Sequence, residues 1–222
     1  AWAWQPSDKQ QWRASWGQGF RAPNFNELYY PGFFGSFAGN PDLKPEESQT
    51  IELGYALLWR DGHEARISAF KTDVDELISF AGINNQAVNI EQADIKGVEA
   101  ELAGNAGPWL WRIQGAWTEA VDADTGAPLL RRPELTGLLS LGYQFDNQIS
   151  LAGEFTAISD RPDLGTDLPG YGRLDLIAGW PVSANWRIEG RFENLLNRDY
   201  ELIDGYNTPG RSFFLRINYL SN

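Results

Sequence analysis

Trp109-Leu110-Trp111-Arg112-Ile113-Gln114-Gly115-Ala116-Trp117-Thr118 is the stretch on which the fold turns. Alternate positions carry Trp, Trp, Ile, Gly and Trp, and the positions between them are mostly Arg, Gln and Thr. A period of two marks a β-strand with one apolar and one polar face. Asn185 to Glu193 repeats it, with Trp186, Ile188, Gly190 and Phe192 set against Arg187, Glu189, Arg191 and Glu193. Four successive charges on one face would be costly in a sandwich core. They suit a wet barrel lumen lined with paired charges.

The same stripe recurs on both sides of that stretch. Ile51, Leu53, Tyr55, Leu57 and Trp59 share one face, as do Leu135, Gly137, Leu139, Leu141 and Tyr143. Further stripes are Ile149, Leu151, Gly153, Phe155 and Ala157, and then Phe213, Leu215, Ile217 and Tyr219. Two segments are less regular: Glu64 to Asp73 places Phe70 on its polar face, and Ile95 to Leu102 is strongly acidic. Gly97, Gly115, Gly153 and Gly190 fall inside strands, where glycine weakens the ladder but permits curvature.

The connections separate barrel from sandwich. Short ones (Pro6–Gln10, Arg60–His63, Gly104–Gly107, Phe145–Asn147, Pro181–Asn185) alternate with long ones (Phe20–Glu47, Ser79–Asn89, Ala120–Pro133, Ser159–Gly172, Asp199–Gly210). Short turns at one rim and long loops at the other are the mark of a transmembrane barrel, whereas a Greek-key sandwich mixes lengths at both ends. The expected fold is an all-β, antiparallel transmembrane β-barrel section of about ten strands, occupying residues 1–222 as one array of hairpins. If the last strand ends at the periplasm, the long loops are extracellular.

Composition narrows the function. Ten Trp in 222 residues is an aromatic load that suits the two membrane interfaces. No apolar run reaches the length of a spanning helix, and spanning strands need only about ten alternating residues. The absence of Cys removes disulfides, zinc-thiolate sites and thiol nucleophiles. A net charge of -12 argues against nucleic acid as a partner. Residue 1 opens directly on Ala1-Trp2-Ala3-Trp4, which already alternates, so the chain reads as a piece of a longer polypeptide.

Several motifs, in order, resemble one family. Phe20-Arg21-Ala22-Pro23 with Asn26-Glu27-Leu28, then Gly39-Asn40-Pro41-Asp42-Leu43-Lys44-Pro45-Glu46, are similar to signatures of TonB-dependent outer-membrane receptors. So are Asn89 with Ile95-Lys96-Gly97-Val98-Glu99, and Asn194-Leu195-Leu196-Asn197-Arg198-Asp199-Tyr200 with Gly210-Arg211-Ser212-Phe213. The resemblance implies location in the bacterial outer membrane, in contact with its lipid, as the C-terminal portion of a 22-stranded barrel. The N-terminal plug and barrel strands would lie outside this chain. It also implies import of a small nutrient, cobalamin first and a ferric siderophore as the alternative, with energy from the TonB complex through that N-terminal part. No resident cofactor, metal site or enzymatic activity is implied. Ala127-Pro128-Leu129-Leu130-Arg131-Arg132-Pro133 most resembles the cobalamin receptors, in which outer-loop arginines hold the corrin side chains. Arg131, Arg132 and Arg161 are the corresponding candidates here.

The residues also carry readings of their own. Pro23, Pro41 and Pro45 belong in loops or at strand starts because they cannot donate to a ladder, and Asn40, Asp42 and Asn197 suit turns that bond their own backbone. Tyr29, Tyr30 and Phe33, with Phe34 and Phe37, crowd one long loop, where they either cap an apolar ligand face or pack on each other. Asp122-Ala123-Asp124-Thr125-Gly126 has half the look of a calcium loop but reads better as an acidic turn. His63, the lone His, is expected to be solvated in a short turn. Asp73 and Asp75 have no nucleophile or base beside them. Two other readings are a passive ten-stranded pore, which would leave the stub Ala1 to Gln5 unpaired, and an outer-membrane protease, for which catalytic groups are wanting. Outer-membrane barrels usually end in an aromatic residue; Leu220-Ser221-Asn222 after Tyr219 makes this terminus atypical.

Overall fold

A computed structural model describes residues 1–81 and 84–219. Leu220–Asn222, on which the expectation of an atypical terminus rests, lie outside the described residues. The chain forms an open antiparallel sheet of eleven strands in sequential order, one more than the roughly ten expected, because the opening stub pairs as a full strand. These are β1 (Trp2–Ser7), β2 (Gln10–Arg21), β3 (Glu46–Arg60), β4 (His63–Ala81), β5 (Gln86–Ala106), β6 (Trp109–Asp122), β7 (Leu135–Gln144) and β8 (Ser150–Ile158). A small hairpin, β9 (Arg161–Asp163) and β10 (Thr166–Leu168), stands apart as its own two-stranded sheet. The main sheet resumes with β11 (Tyr171–Pro181), β12 (Trp186–Glu193) and β13 (Ser212–Tyr219). β1 and β13 lie at the two edges and do not pair with each other.

The register carries each stripe across the sheet. Trp4 opposes Trp12, Trp12 opposes Tyr55, Tyr55 opposes Ile67, and Ile67 opposes Ala100. On the far side, Trp111 opposes Leu141, Leu141 opposes Gly153, Gly153 opposes Leu176, Leu176 opposes Phe192 and Phe192 opposes Phe213. One face is therefore apolar from edge to edge, and its rings pair across strands near the short turns. Trp12–Tyr55 at 4.5 Å, Trp109–Tyr143 at 4.8 Å and Trp186–Tyr219 at 4.8 Å between centroids form a belt of the kind that marks a membrane interface. His63, half-buried in its turn, also lies beside this belt. Its ring lies 5.8 Å from Trp59 and 5.9 Å from Trp111, because β3 and β4 meet in a tight turn beside Gly104.

The opposite, concave face is polar, and its charges are paired across strands. Glu101 lies 3.6 Å from both Arg66 and Arg112. Arg191 reaches Asp175 at 2.7 Å, Glu193 at 3.0 Å and Glu154 at 3.3 Å. Phe70 is the exception that the sequence flagged on this face. Its ring lies against Gly97, its register partner, where a Cβ would come within 2.8 Å of two ring carbons.

β4 and β5 run for 19 and 21 residues, about twice what a membrane crossing needs. Their apolar stripe stops after Ala69 and Val98. Beyond it the same face carries Lys71, which pairs with Asp73, and Lys96, 2.9 Å from Glu119. The strands thus continue past the apolar band into a charged zone, which explains the two irregular segments. The connection expected over Ser79–Asn89 is correspondingly shorter, since β4 extends to Ala81 and β5 starts at Gln86. Backbone pairing between the two strands outlasts the apolar band there because neither strand needs that band to hold its ladder.

Candidate functional site

The long connections gather at one rim, and side-chain hydrogen bonds hold them there. Asn24 caps the five-residue helix α1 (Phe25–Tyr29) through a capping box with Glu27. Arg21 then clamps this turn to β3, donating to Glu27 at 3.0 Å and to Glu46 at 2.6 Å. Asn89 on β5 accepts from the Lys44 backbone N–H at 2.9 Å and donates to the carbonyls of Lys44 and Glu76. Glu46 also accepts from the Ile78 N–H. The motif residues of the first two loops therefore work as loop anchors. Asn40 bonds its own turn through the Asp42 N–H, as expected, while Asn197 reaches across its loop to the Arg211 N–H, 14 residues away.

Inside this rim the loop joining β6 and β7 folds over the polar face. Asp122 accepts from the N–H groups of Asp124 and Thr125 and from the Thr125 hydroxyl, so Asp122–Gly126 is an Asx-type turn. Leu129 is buried against Val74, Ala93 and Ala120. This plug of side chains directs the next residues, Leu130 to Arg132, toward a cavity of about 880 Å³. Tyr30, Phe33, Phe37, Leu77 and Phe80 line one part of it, Arg131, Arg132, Asp163 and Leu164 another, and Ile203, Asp204 and Tyr206 a third. Rings and guanidinium groups meeting in one concavity suit a ligand with flat or apolar surface and negative oxygen.

Four of the six candidate residues come together here: Tyr30, Phe33, Arg131 and Arg132. Tyr29 and Arg161 are not among the lining residues. Tyr29 ends helix α1 with its ring tilted against that of Phe25 at 6.3 Å between centroids, while the chain turns at Tyr30. Arg161 is buried, donates to the Glu201 carbonyl and lies 5.8 Å over the Tyr171 ring. Among the described residues no group of His, Cys, Asp or Glu is arranged to hold a metal ion.

Asp163 was not singled out by the sequence. Its side chain is fully buried at the start of the β9–β10 turn and accepts from Arg131 Nε at 2.7 Å and from the N–H groups of Leu164 and Asp204, both at 2.8 Å. Burial by itself would raise its pKa. The two backbone N–H groups and the Arg131 guanidinium outweigh that and hold the carboxylate below its ordinary value. Because the folded value is depressed, the stabilisation is complete above the ordinary carboxylate range and is lost as pH falls through the lower folded value. Hydrogen exchange at the Asp204 and Leu164 amides, corrected for its intrinsic pH dependence, is expected to stay slow at pH 5 and to accelerate only below about pH 4. Unchanged protection down to pH 2 would contradict the assignment.

An open section of antiparallel barrel, apolar on one face and charged on the other, with its long loops gathered at one rim, defines a barrel of the outer-membrane type. The chain belongs to the TonB-dependent receptor-like β-barrel family, whose model matches residues 1–195; the family consists of transport receptors of the bacterial outer membrane. Among solved structures it is similar to the copper transporter OprC, with a TM-score of 0.81 at 20% identity over 98% of this chain and 38% of that one. It is also similar to the ferric enterobactin receptor PfeA of Pseudomonas aeruginosa, with a TM-score of 0.76 at 21% identity over 98% and 39% of the two chains. The ferric-catecholate import receptor Fiu of E. coli K12 gives 0.72 at 20% identity over 98% and 34%. The chain thus spans between a third and two fifths of the length of these receptors.

Proposed function

We infer that this chain supplies the C-terminal wall and part of the outer ligand face of an outer-membrane receptor. That receptor captures a scarce nutrient and imports it with energy from the TonB complex, acting through parts of the polypeptide outside this chain. The observation that carries this reading is the cavity in which Arg131 and Arg132 stand with Tyr30, Phe33, Phe37, Phe80 and Tyr206. Its chemistry best suits an anionic iron chelate, whose oxygens would meet the guanidinium groups and whose aromatic or apolar faces would meet the rings. Relatives of the same fold are named for ferric enterobactin and ferric catecholates, which are ligands of this kind. Cobalamin is the second reading, supported by the resemblance of Ala127–Pro133 to the cobalamin receptors. Tyr29 and Arg161 are proposed to support the site from outside the cavity.

Equilibrium binding to the full-length receptor separates these readings, with ferric enterobactin, cyanocobalamin and cupric ion as probes. Saturable binding of ferric enterobactin, weakened about tenfold or more by Arg132→Ala, is the expected result. Saturable binding of cyanocobalamin alone would establish the second reading. If none of the three binds, the assignment of the cavity to ligand capture fails.

A further inference from the structure

Arg131 is held in an unusual way. Its φ is +61°, a left-handed conformation that costs free energy in a residue with a side chain. Two contacts to the β9–β10 hairpin keep it there: its N–H donates to the Pro162 carbonyl at 2.7 Å, and its Nε donates to Asp163. The side-chain contact uses Nε, so among the described residues the two Nη groups have no hydrogen-bond partner, and the side chain stays 37% exposed at the cavity wall. An arginine engaged only for its own stability would turn its bidentate Nη edge to the carboxylate, since that geometry is the stronger one. Here the buried carboxylate takes the single Nε donor and leaves the edge available.

We propose that Asp163 is a positioning residue, holding Arg131 so that its Nη edge receives an anionic oxygen of the ligand, a carboxylate or a catecholate. This rests on the reading of the cavity as the ligand site. The same carboxylate accepts from the Asp204 N–H, and Arg161 donates to the Glu201 carbonyl. The hairpin therefore ties the β6–β7 loop, which presents Arg131, to the β12–β13 loop, which contributes Ile203 and Tyr206 to the cavity. Strain at Arg131 is maintained by groups buried beneath it, so the guanidinium is oriented before the ligand arrives.

The test is a double-mutant cycle in the full-length receptor, using ferric enterobactin as the probe and comparing wild type, Asp163→Asn, Arg131→Ala and the double variant. Asp163→Asn alone is expected to weaken binding about tenfold, and to have no further effect once Arg131 is Ala, because its influence passes through that side chain. Arg131→Lys, which leaves Asp163 untouched and keeps the charge, is expected to lose nearly as much affinity as Arg131→Ala, because an ammonium lacks the directed Nη edge. Additive losses, or wild-type affinity in Arg131→Lys, would overturn the positioning role while leaving the cavity reading intact. If Arg131→Ala itself binds like wild type, or wild type does not bind ferric enterobactin, the reading of the cavity as a site for an anionic iron chelate fails and takes this proposal with it.

Discussion

Asp175→Ala is expected to destabilise the receptor by about 3–5 kcal/mol, the cost of removing one partner from a buried ionic cluster. Asp175 is 2% exposed on the polar face of β11. One carboxylate oxygen accepts from Arg191 at 2.7 Å and Arg173 at 3.1 Å, and the other accepts from the Asn194 N–H at 2.9 Å. Truncation leaves two guanidinium groups without their shared anion and a buried N–H without an acceptor. The N–H matters because Asn194 is itself buried with φ +52°, and its side chain bridges to the Arg198 N–H and carbonyl. The loss should therefore spread into the β12–β13 loop. Asp175→Asn keeps an oxygen for Asn194 but removes the charge, so it should fall between wild type and Asp175→Ala. Urea unfolding of the refolded receptor, followed by tryptophan fluorescence, measures both. A shift for Asp175→Ala no larger than that for an exposed surface substitution would contradict the cluster's role.

Gly97→Val should rank next, at about 3 kcal/mol, the upper part of the range for overpacking. Any Cβ at this position lies 2.6 Å from the Trp117 carbonyl oxygen, a backbone atom of the paired strand, as well as 2.8 Å from the Phe70 ring. The backbone cannot yield without breaking the β5–β6 ladder, and the ring can yield only by leaving its place on the polar face. Gly115 supplies the control. Its nearest neighbour is the Thr136 carbonyl oxygen at 3.8 Å, so Gly115→Ala should be nearly neutral. Equal melting behaviour of the two variants would show that Gly97 is not held by Phe70 and Trp117.

This contrast shows how far the sequence could be read. All four strand glycines look alike in the alternation, and curvature was a sufficient reason for each. Only the folded neighbours separate Gly97, which makes room for Phe70, from Gly115, which has space to spare. The alternation itself was fully legible, because lipid-facing and water-facing positions repeat over many strands and a slip of one residue would invert them all. Strand ends were less so: β4 and β5 outrun the apolar band, and nothing in the period announces where that band stops. The site was legible in part. Arg131 and Arg132, which a motif points to, and Tyr30 and Phe33, which an aromatic cluster points to, line one cavity. Asp163 was missed because its partners are distant, Arg131 by 32 positions and Asp204 by 41. Its one local signal, the Asp163-Leu164-Gly165-Thr166 turn with Gly165 at φ +76°, marks a hairpin and not the buried carboxylate that holds it.

That one face of this sheet meets lipid and the other meets water can be tested strand by strand. The chain contains no Cys, so single spin-labelled cysteines at Leu139, Ser140 and Leu141 on β7, and at Glu52 and Leu53 on β3, can be introduced without competing thiols. In the full-length receptor reconstituted into bilayers, labels at 53, 139 and 141 should collide with oxygen, which partitions into lipid. Those at 52 and 140 should collide instead with a water-soluble nickel chelate or be shielded from both. Chelate access at 139 and 141, or no alternation between neighbouring positions, would contradict the barrel assignment.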